Sequence, residues 1–282
     1  MGMIIEDNTR DPATYFWGPR TSTLDWCEEN YAVNHYVAEF WNCVTNVMFL
    51  ALASSGLHSA FKYRQAKRVI AYYAAMSFVG VGSLLFHATL KYETQLLDEL
   101  PMLYLAALTL YSIIEIDKET KFGARVPIAL AATMLGVTLV YIFWIQNPVF
   151  HQIVFALTVI STVAISCKRE AEMQLSNRTK RILRRQLYTG VLGMLGGFLV
   201  WNLDNIFCQQ LRTYRTRLSS PLDVLLQLHG WWHILTAYGC MSLLLWVHFL
   251  RIARLGHDNL FTIRRRFIIL PCVTIATAKK VE

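Results

Sequence analysis

The side chains in this sequence best suited to chemistry are two pairs at helical spacing and one acid. Ser83 and His87 are four residues apart, as are His229 and His233, and residues at i and i+4 share one face of a helix. Two histidines so placed can bind one metal ion, with a third ligand from elsewhere in the fold and a fourth position left for water. Alone, H-x-x-x-H is a weak signal, because Trp231 and Trp232 between the histidines equally describe a packed interfacial segment. Asp98 and Glu99 interrupt an otherwise apolar stretch between the two pairs. Neighbours on a helix point about 100° apart, so one of these acids is expected to face the bundle interior.

The elements that must position these groups are membrane helices. The chain is 55% apolar and 16% charged, outside the range of soluble domains. Seven apolar stretches, near 37–61, 70–90, 96–115, 126–145, 149–167, 187–208 and 226–250, approach the roughly 20 residues that cross a bilayer core. No cleaved signal peptide is evident in the first 36 residues. The net charge of +8 does not indicate nucleic acid, because the basic residues sit in the connections between spans. Four connections, 62–69, 116–125, 168–186 and 251–282, carry 4, 3, 7 and 7 Lys and Arg, or 21 of the 27. The positive-inside rule then places the N-terminus outside the cytosol and the C-terminus within it. The sequon Asn177-Arg178-Thr179 falls in a cytosolic connection and is expected to stay unused.

With that orientation His87, Asp98, His229 and His233 all lie near the outer ends of their helices. Three histidines, a serine and an acid at one depth describe a zinc site with an open position and a nearby base. Zinc lowers the pKa of a bound water and polarises a carbonyl oxygen, which serves hydrolysis of an unreactive bond such as an amide. Asp98 is the candidate base that passes a proton to the leaving nitrogen. Ser83 is the candidate donor to the oxyanion. Glu99 reads as a structural acid, and His151 as a packing or interfacial residue.

The remaining polar positions are less decisive. Asp25, Glu28, Glu29 and Asn30, followed by Glu39, concentrate oxygens suited to a hard cation such as calcium. From composition a solvated acidic cap on the first helix is the preferred reading of them, since EF-hand spacing is absent. Asn202, Asp204 and Asn205 describe either support for the site or helix packing. Pro101 is expected in the first turn of its span, where proline is tolerated. Arg212, Arg215 and Arg217 form a basic loop on the outer side.

Five segments carry a resemblance. They are Thr-Ser-Thr-Leu-Asp-Trp-Cys-Glu-Glu-Asn-Tyr at 21–31, Gly-Ser-x-x-Phe-His-x-Thr-Leu-Lys-Tyr at 82–92, Gln-Leu-Leu-Asp-Glu-Leu-Pro-Met at 95–102, Trp-Asn-x-Asp-Asn at 201–205 and His-x-Trp-Trp-His-Ile-Leu-Thr at 229–236. In order and spacing these resemble the alkaline ceramidases over about residues 15–250. The resemblance implies an all-α integral membrane protein, a seven-transmembrane helix bundle, that cleaves ceramide, including phytoceramide and dihydroceramide, to a sphingoid base and a fatty acid in the endoplasmic reticulum or Golgi. It further implies zinc on His87, His229 and His233, catalytic roles for Ser83 and Asp98, and calcium on Asp25, Trp26 through its carbonyl, Glu28, Asn30 and Glu39, in place of the solvated cap.

The chain accordingly divides into a luminal segment 1–36 with the calcium site, a catalytic bundle 37–250 and a cytosolic basic tail 251–282. Cys27 and Cys208 both fall on the outer side, where an oxidising lumen permits a disulfide. Lys279-Lys280 near the end offers a dilysine signal to a cytosolic coat protein. The rival is a zinc-containing seven-helix receptor of the adiponectin-receptor type, and the Ser83/Asp98 arrangement favours the enzyme.

Overall fold

A computed structural model of the chain describes residues 15–266 and 270–276. The dilysine pair and residues 1–14 lie outside them. The first span is broken into α1 (Phe40–Thr45) and α2 (Val47–Lys62), followed by α3 (Lys67–Thr89) and α4 (Tyr92–Ile114). Then come α5 (Arg125–Val140), continued by a π-helical turn (Tyr141–Ile145), and α6 (Pro148–Ala171). α7 (Asn177–Ile206) bends by 84° into α8 (Cys208–Arg217), and α9 (Leu228–Arg254) completes the bundle. Among the described residues six helical segments are long and apolar enough to cross a bilayer, or seven if the bent α7–α8 pair counts as one span. The protein is therefore a multi-pass helical membrane protein.

Local side-chain caps start two of the helices. Asn147 caps α6 by accepting from the Val149 N–H at 3.0 Å, with Pro148 in the first position, where its missing N–H costs nothing. Ser176 caps α7 through the Thr179 N–H at 3.2 Å. The cap of α1 comes from a distance: Glu28 accepts from the N–H groups of Trp41 at 2.7 Å and Asn42 at 2.8 Å, two of the donors that a helix start leaves unpaired.

Two helix contacts depend on glycine. α7 and α9 approach so closely that a Cβ on Gly193 would stand 2.9 Å from the Gly239 Cα, the small-residue packing of membrane helices. Between α3 and α4, a Cβ on Gly82 would collide with the Leu97 carbonyl. Sequence placed Pro101 in a first turn, yet α4 begins at Tyr92 and Pro101 is interior to it. The reason is that Leu90 takes a left-handed conformation, φ 51°, which closes the α3–α4 turn sooner than expected. A proline inside a helix leaves the carbonyl four residues before it without its usual donor. That carbonyl is Leu97's, and it rests against Gly82.

The stretch after α9, read as a basic tail, contains an antiparallel hairpin of β1 (Phe261–Arg266) and β2 (Leu270–Ile275), with Phe261 opposite Ile275. Cys272 and Val273 are buried, the Ser59 hydroxyl donates to the Val273 carbonyl, and the Tyr63 hydroxyl meets Thr274 Oγ1 at 2.9 Å. The hairpin thus packs on the end of α2 opposite the histidines.

The Gly82 contact yields an expected outcome. Gly82→Ala forces α3 and α4 apart, an overpacking cost of about 1–3 kcal/mol, and separates Ser83 from Asp98. Its thermal unfolding midpoint in detergent falls, whereas Gly136→Ala, where a Cβ meets nothing within 4 Å, does not lower it.

Candidate metal centre and active site

His87 near the end of α3 and His229 and His233 in the first turns of α9 come together. Their ring centroids are 5.2 Å (87–229), 4.8 Å (87–233) and 4.7 Å (229–233) apart. One ring nitrogen from each lies within 4.8 Å of the others, and all three residues are buried. Among the described residues this is the one group of three or more His, Cys, Asp or Glu so gathered.

Hydrogen bonds fix which nitrogens are available. His87 Nδ1 stands 2.5 Å from Glu39 Oε2, so it donates to that carboxylate and Nε2 keeps its lone pair. His233 Nδ1 lies 2.9 Å from Thr45 Oγ1. The Thr45 hydroxyl has one proton, with the Trp41 and Asn42 carbonyls at 2.9 and 3.0 Å to receive it. It therefore accepts from His233, whose Nε2 is likewise free. His229 stacks on the Trp26 indole, centroids 4.3 Å apart. Asp204, buried near the end of α7, lies close to the backbone N–H groups of His229 and Cys27. Buried His87 Nε2 and His229 Nδ1 have no hydrogen-bond partner. Three clustered imidazoles, two with unpartnered buried nitrogens and one held by a carboxylate, fit a metal centre and its supporting bonds.

A cavity of about 390 Å³ adjoins the histidines. Ser83, Asp98, His229, His233 and Trp26 border it at one end, and mainly apolar residues, with Thr109, Gln152 and Thr162 among them, line the rest as far along α9 as Trp246 and Val247. Ser83 and Asp98 stand beside each other at that end. The sequence-predicted catalytic pair is thus brought together beside the histidines. Glu99 and His151, read as structural and interfacial, also line the cavity. Of the three polar residues at 202–205, Asp204 turns inward, whereas Asn202 and Asn205 bond carbonyls of their own helix.

The acidic segment adjoins this centre. Glu39 Oε1 accepts from the Trp26 N–H at 3.1 Å and Oε2 from Asn42 Nδ2 at 3.1 Å. Asn30 Nδ2 donates to Asp25 at 3.2 Å, Arg20 lies 3.7 Å from the same acid, and the Asn30 Oδ1 is buried without a partner. Burial, followed by repulsion from Glu39, pushes the Glu28 carboxyl up to about 8. Crowded acid oxygens beside an unpartnered amide oxygen fit a hard cation.

Cys27 and Cys208 form a disulfide, with Cα atoms 5.3 Å apart. The arginines beyond it are not a loose basic loop. Arg212 Nε donates to the Cys27 carbonyl at 3.0 Å. Arg215, 6% exposed, donates to that carbonyl at 2.5 Å and to Glu29 at 3.1 Å. α8 thereby clamps the segment that carries Trp26 and Glu28. Sequence reasoning missed this clamp, the Trp26 stacking and the capping by Glu28, since none follows from local spacing.

Fold and site together define a multi-pass membrane protein with a buried three-histidine centre opening on an apolar cavity. Residues 18–274 match the Ceramidase family model. The chain is 43% identical over 225 residues to alkaline ceramidase 3 of Mus musculus, covering 79% of this chain and 82% of that protein. It is 36% identical over 255 residues to alkaline ceramidase YPC1 of Saccharomyces cerevisiae, covering 85% and 80%. It is 29% identical over 229 residues to an alkaline ceramidase of Arabidopsis thaliana, covering 81% and 83%. The chain belongs to the alkaline ceramidase family of hydrolases, which supports the enzyme over the receptor reading.

The α8 clamp is open to test. Arg215→Met removes charge-assisted hydrogen bonds, each worth about 1.5–3 kcal/mol, and lowers the thermal unfolding midpoint. Arg217→Met, at an exposed position, changes stability by no more than about 0.5 kcal/mol.

Proposed function

We propose that the protein hydrolyses the amide of ceramide, including phytoceramide and dihydroceramide, to a sphingoid base and a fatty acid, with zinc on His87, His229 and His233. The observation that carries this reading is the meeting of three metal-competent imidazoles with the Ser83–Asp98 pair at one end of an apolar cavity. When bound there, zinc supplies Lewis acidity, which makes a water nucleophilic near neutral pH and polarises the amide carbonyl.

The chain's own groups do the remainder. Asp98 accepts a proton from the attacking water and delivers it to the amide nitrogen as the C–N bond breaks, leaving the acid and a free amine. Ser83, beside Asp98 at the cavity end, donates its hydroxyl to the oxyanion forming on the former carbonyl. The apolar wall towards Trp246 holds hydrocarbon and keeps bulk water out. Glu39 and Thr45 hold the His87 and His233 rings in the tautomers that leave Nε2 free.

In this reading Asp25, the Trp26 carbonyl, Glu28, Asn30 and Glu39 bind calcium. Glu39 then serves both ions, as a calcium ligand and as the acceptor for His87. The N-terminal segment lies in the lumen and the C-terminus in the cytosol of the endoplasmic reticulum or Golgi, where Lys279-Lys280 is available to a coat protein. Absence of a glycan at Asn177 in cells is the expected sign of that orientation, and its presence refutes it.

Purified protein in detergent releases sphingoid base from ceramide. A zinc chelator abolishes the release and added zinc restores it. His233→Ala and Asp98→Asn each lower kcat by at least about 100-fold, the lower range for losing a proton-transfer group. Base release that survives the chelator and both substitutions defeats the proposed site. Glu39→Gln keeps the side chain's size but loses the anion facing His87, so zinc affinity, followed by metal analysis after dialysis, falls about 10- to 100-fold. Unchanged zinc content in this variant removes Glu39 from the centre's support.

A further inference from the structure

Two cavity-lining groups take no part in the chemistry above. Glu99 and His151 are 6% and 3% exposed, and both border the cavity that holds Ser83 and Asp98. Their hydrogen bonds are half made. Glu99 Oε2 accepts from the Tyr141 hydroxyl at 2.5 Å and from Gln95 Nε2 at 3.3 Å, while no described residue bonds its Oε1. His151 Nε2 stands 2.7 Å from the Glu99 backbone oxygen. A carbonyl only accepts, so Nε2 carries the proton and the neutral ring presents Nδ1 as an acceptor. No described residue donates to that nitrogen.

The surroundings hold the pair in place. Tyr141 opens the π-helical turn at Tyr141–Ile145, a form frequent at functional sites, and its ring lies 5.9 Å from that of His151. Gln95, the second donor to Glu99, is itself held by the Thr23 N–H at 2.8 Å. Two unpaired acceptors in a largely apolar cavity are costly unless the ligand brings donors. Hydrocarbon chains bring none. Glu99 follows Asp98 in the same helix, about 1.5 Å further along the axis and 100° around it, so it meets a part of the ligand close to the amide. In a ceramide the donors nearest the amide, apart from its own N–H, are the hydroxyl groups of the sphingoid base.

We infer that Glu99 and His151 together bind a hydroxyl of the sphingoid base, setting the amide in register with Asp98 and Ser83 and selecting substrates by the hydroxylation of that base. The inference rests on the amidase reading above. A site built to pair a hydroxyl discriminates strongly against the analogue that lacks it, because its buried acceptors are then left unpaired.

The test compares kcat/KM on four amides with one acyl chain: N-acyl phytosphingosine, N-acyl dihydrosphingosine, and the 1-deoxy and 3-deoxy forms of the latter. Wild-type protein is expected to cleave one of the analogues about 10- to 100-fold less efficiently than the partner that differs by that single hydroxyl. In His151→Phe, which keeps a ring beside Phe155, and in Glu99→Gln, that ratio falls towards one, since the variants lose efficiency only on the hydroxylated member. The inference is overturned if wild-type protein treats all four alike, a result that needs no variant to fold. It is equally overturned if both variants slow every substrate by one common factor. Release of base from none of the four by wild-type protein defeats the amidase reading itself and the inference with it.

Discussion

The buried carboxylate of Glu39 is the interaction on which the rest of the site depends. An anion excluded from water is tolerated only when its lone pairs are met, and Glu39 is met by groups from three parts of the chain: the Trp26 N–H, the Asn42 amide and the His87 imidazole. Satisfying it therefore draws the N-terminal segment, the first span and α3 together. The same bonds set the His87 tautomer. They also carry the Trp26 indole to the place where it covers His229. Backbone pairing follows the same path, with the Glu39 N–H on the His87 carbonyl at 2.8 Å and the Ala38 N–H on that of Ala88 at 3.0 Å.

A second constraint brings the reacting pair together. Pro101 deprives the Leu97 carbonyl of its usual helical donor, and Gly82 gives that carbonyl room on the neighbouring helix. The residues that follow these two in the chain are Asp98 and Ser83. Close contact between backbones at 82 and 97 thus places a hydroxyl against a carboxylate. A proline and a glycine, on different helices and neither of them reactive, set the geometry of two groups that are.

Much of this was legible in the sequence because it is periodic. The pairs 83/87 and 229/233 declare their faces by spacing, and the order of the spans brings them to one depth. What was not legible depends on partners distant in sequence. Glu28 caps a helix that begins at Phe40, and Asp204 at the end of α7 lies against the start of α9. The turn after α3 closes at Leu90 because backbone N–H groups of Thr21 and Ser22 both reach its carbonyl, so the acids at 93, 98 and 99 lie inside a helix whose hydropathy they depress. His151 is 52 residues from Glu99, and alone it carried no signal. The stretch 251–282 read as a basic tail, although residues 261–266 form a strand whose partner buries Cys272 and Val273.

The arginines of α8 bear on orientation. Counted by residue, Arg212, Arg215 and Arg217 weaken the charge bias, because the proposed orientation puts them on the side where cations are depleted. Arg212 and Arg215 are engaged with the Cys27 and Glu28 carbonyls and with Glu29, and Arg215 is buried. A guanidinium bound in this way is fixed by the folded protein and does not act as a free surface charge. Arg217 alone of the three is exposed with no ion pair among the described residues. Its side of the membrane is also the side that carries the Cys27–Cys208 disulfide, a bond that persists in oxidising compartments. Charge bias and redox chemistry are independent, and both support the proposed luminal face for the histidine centre.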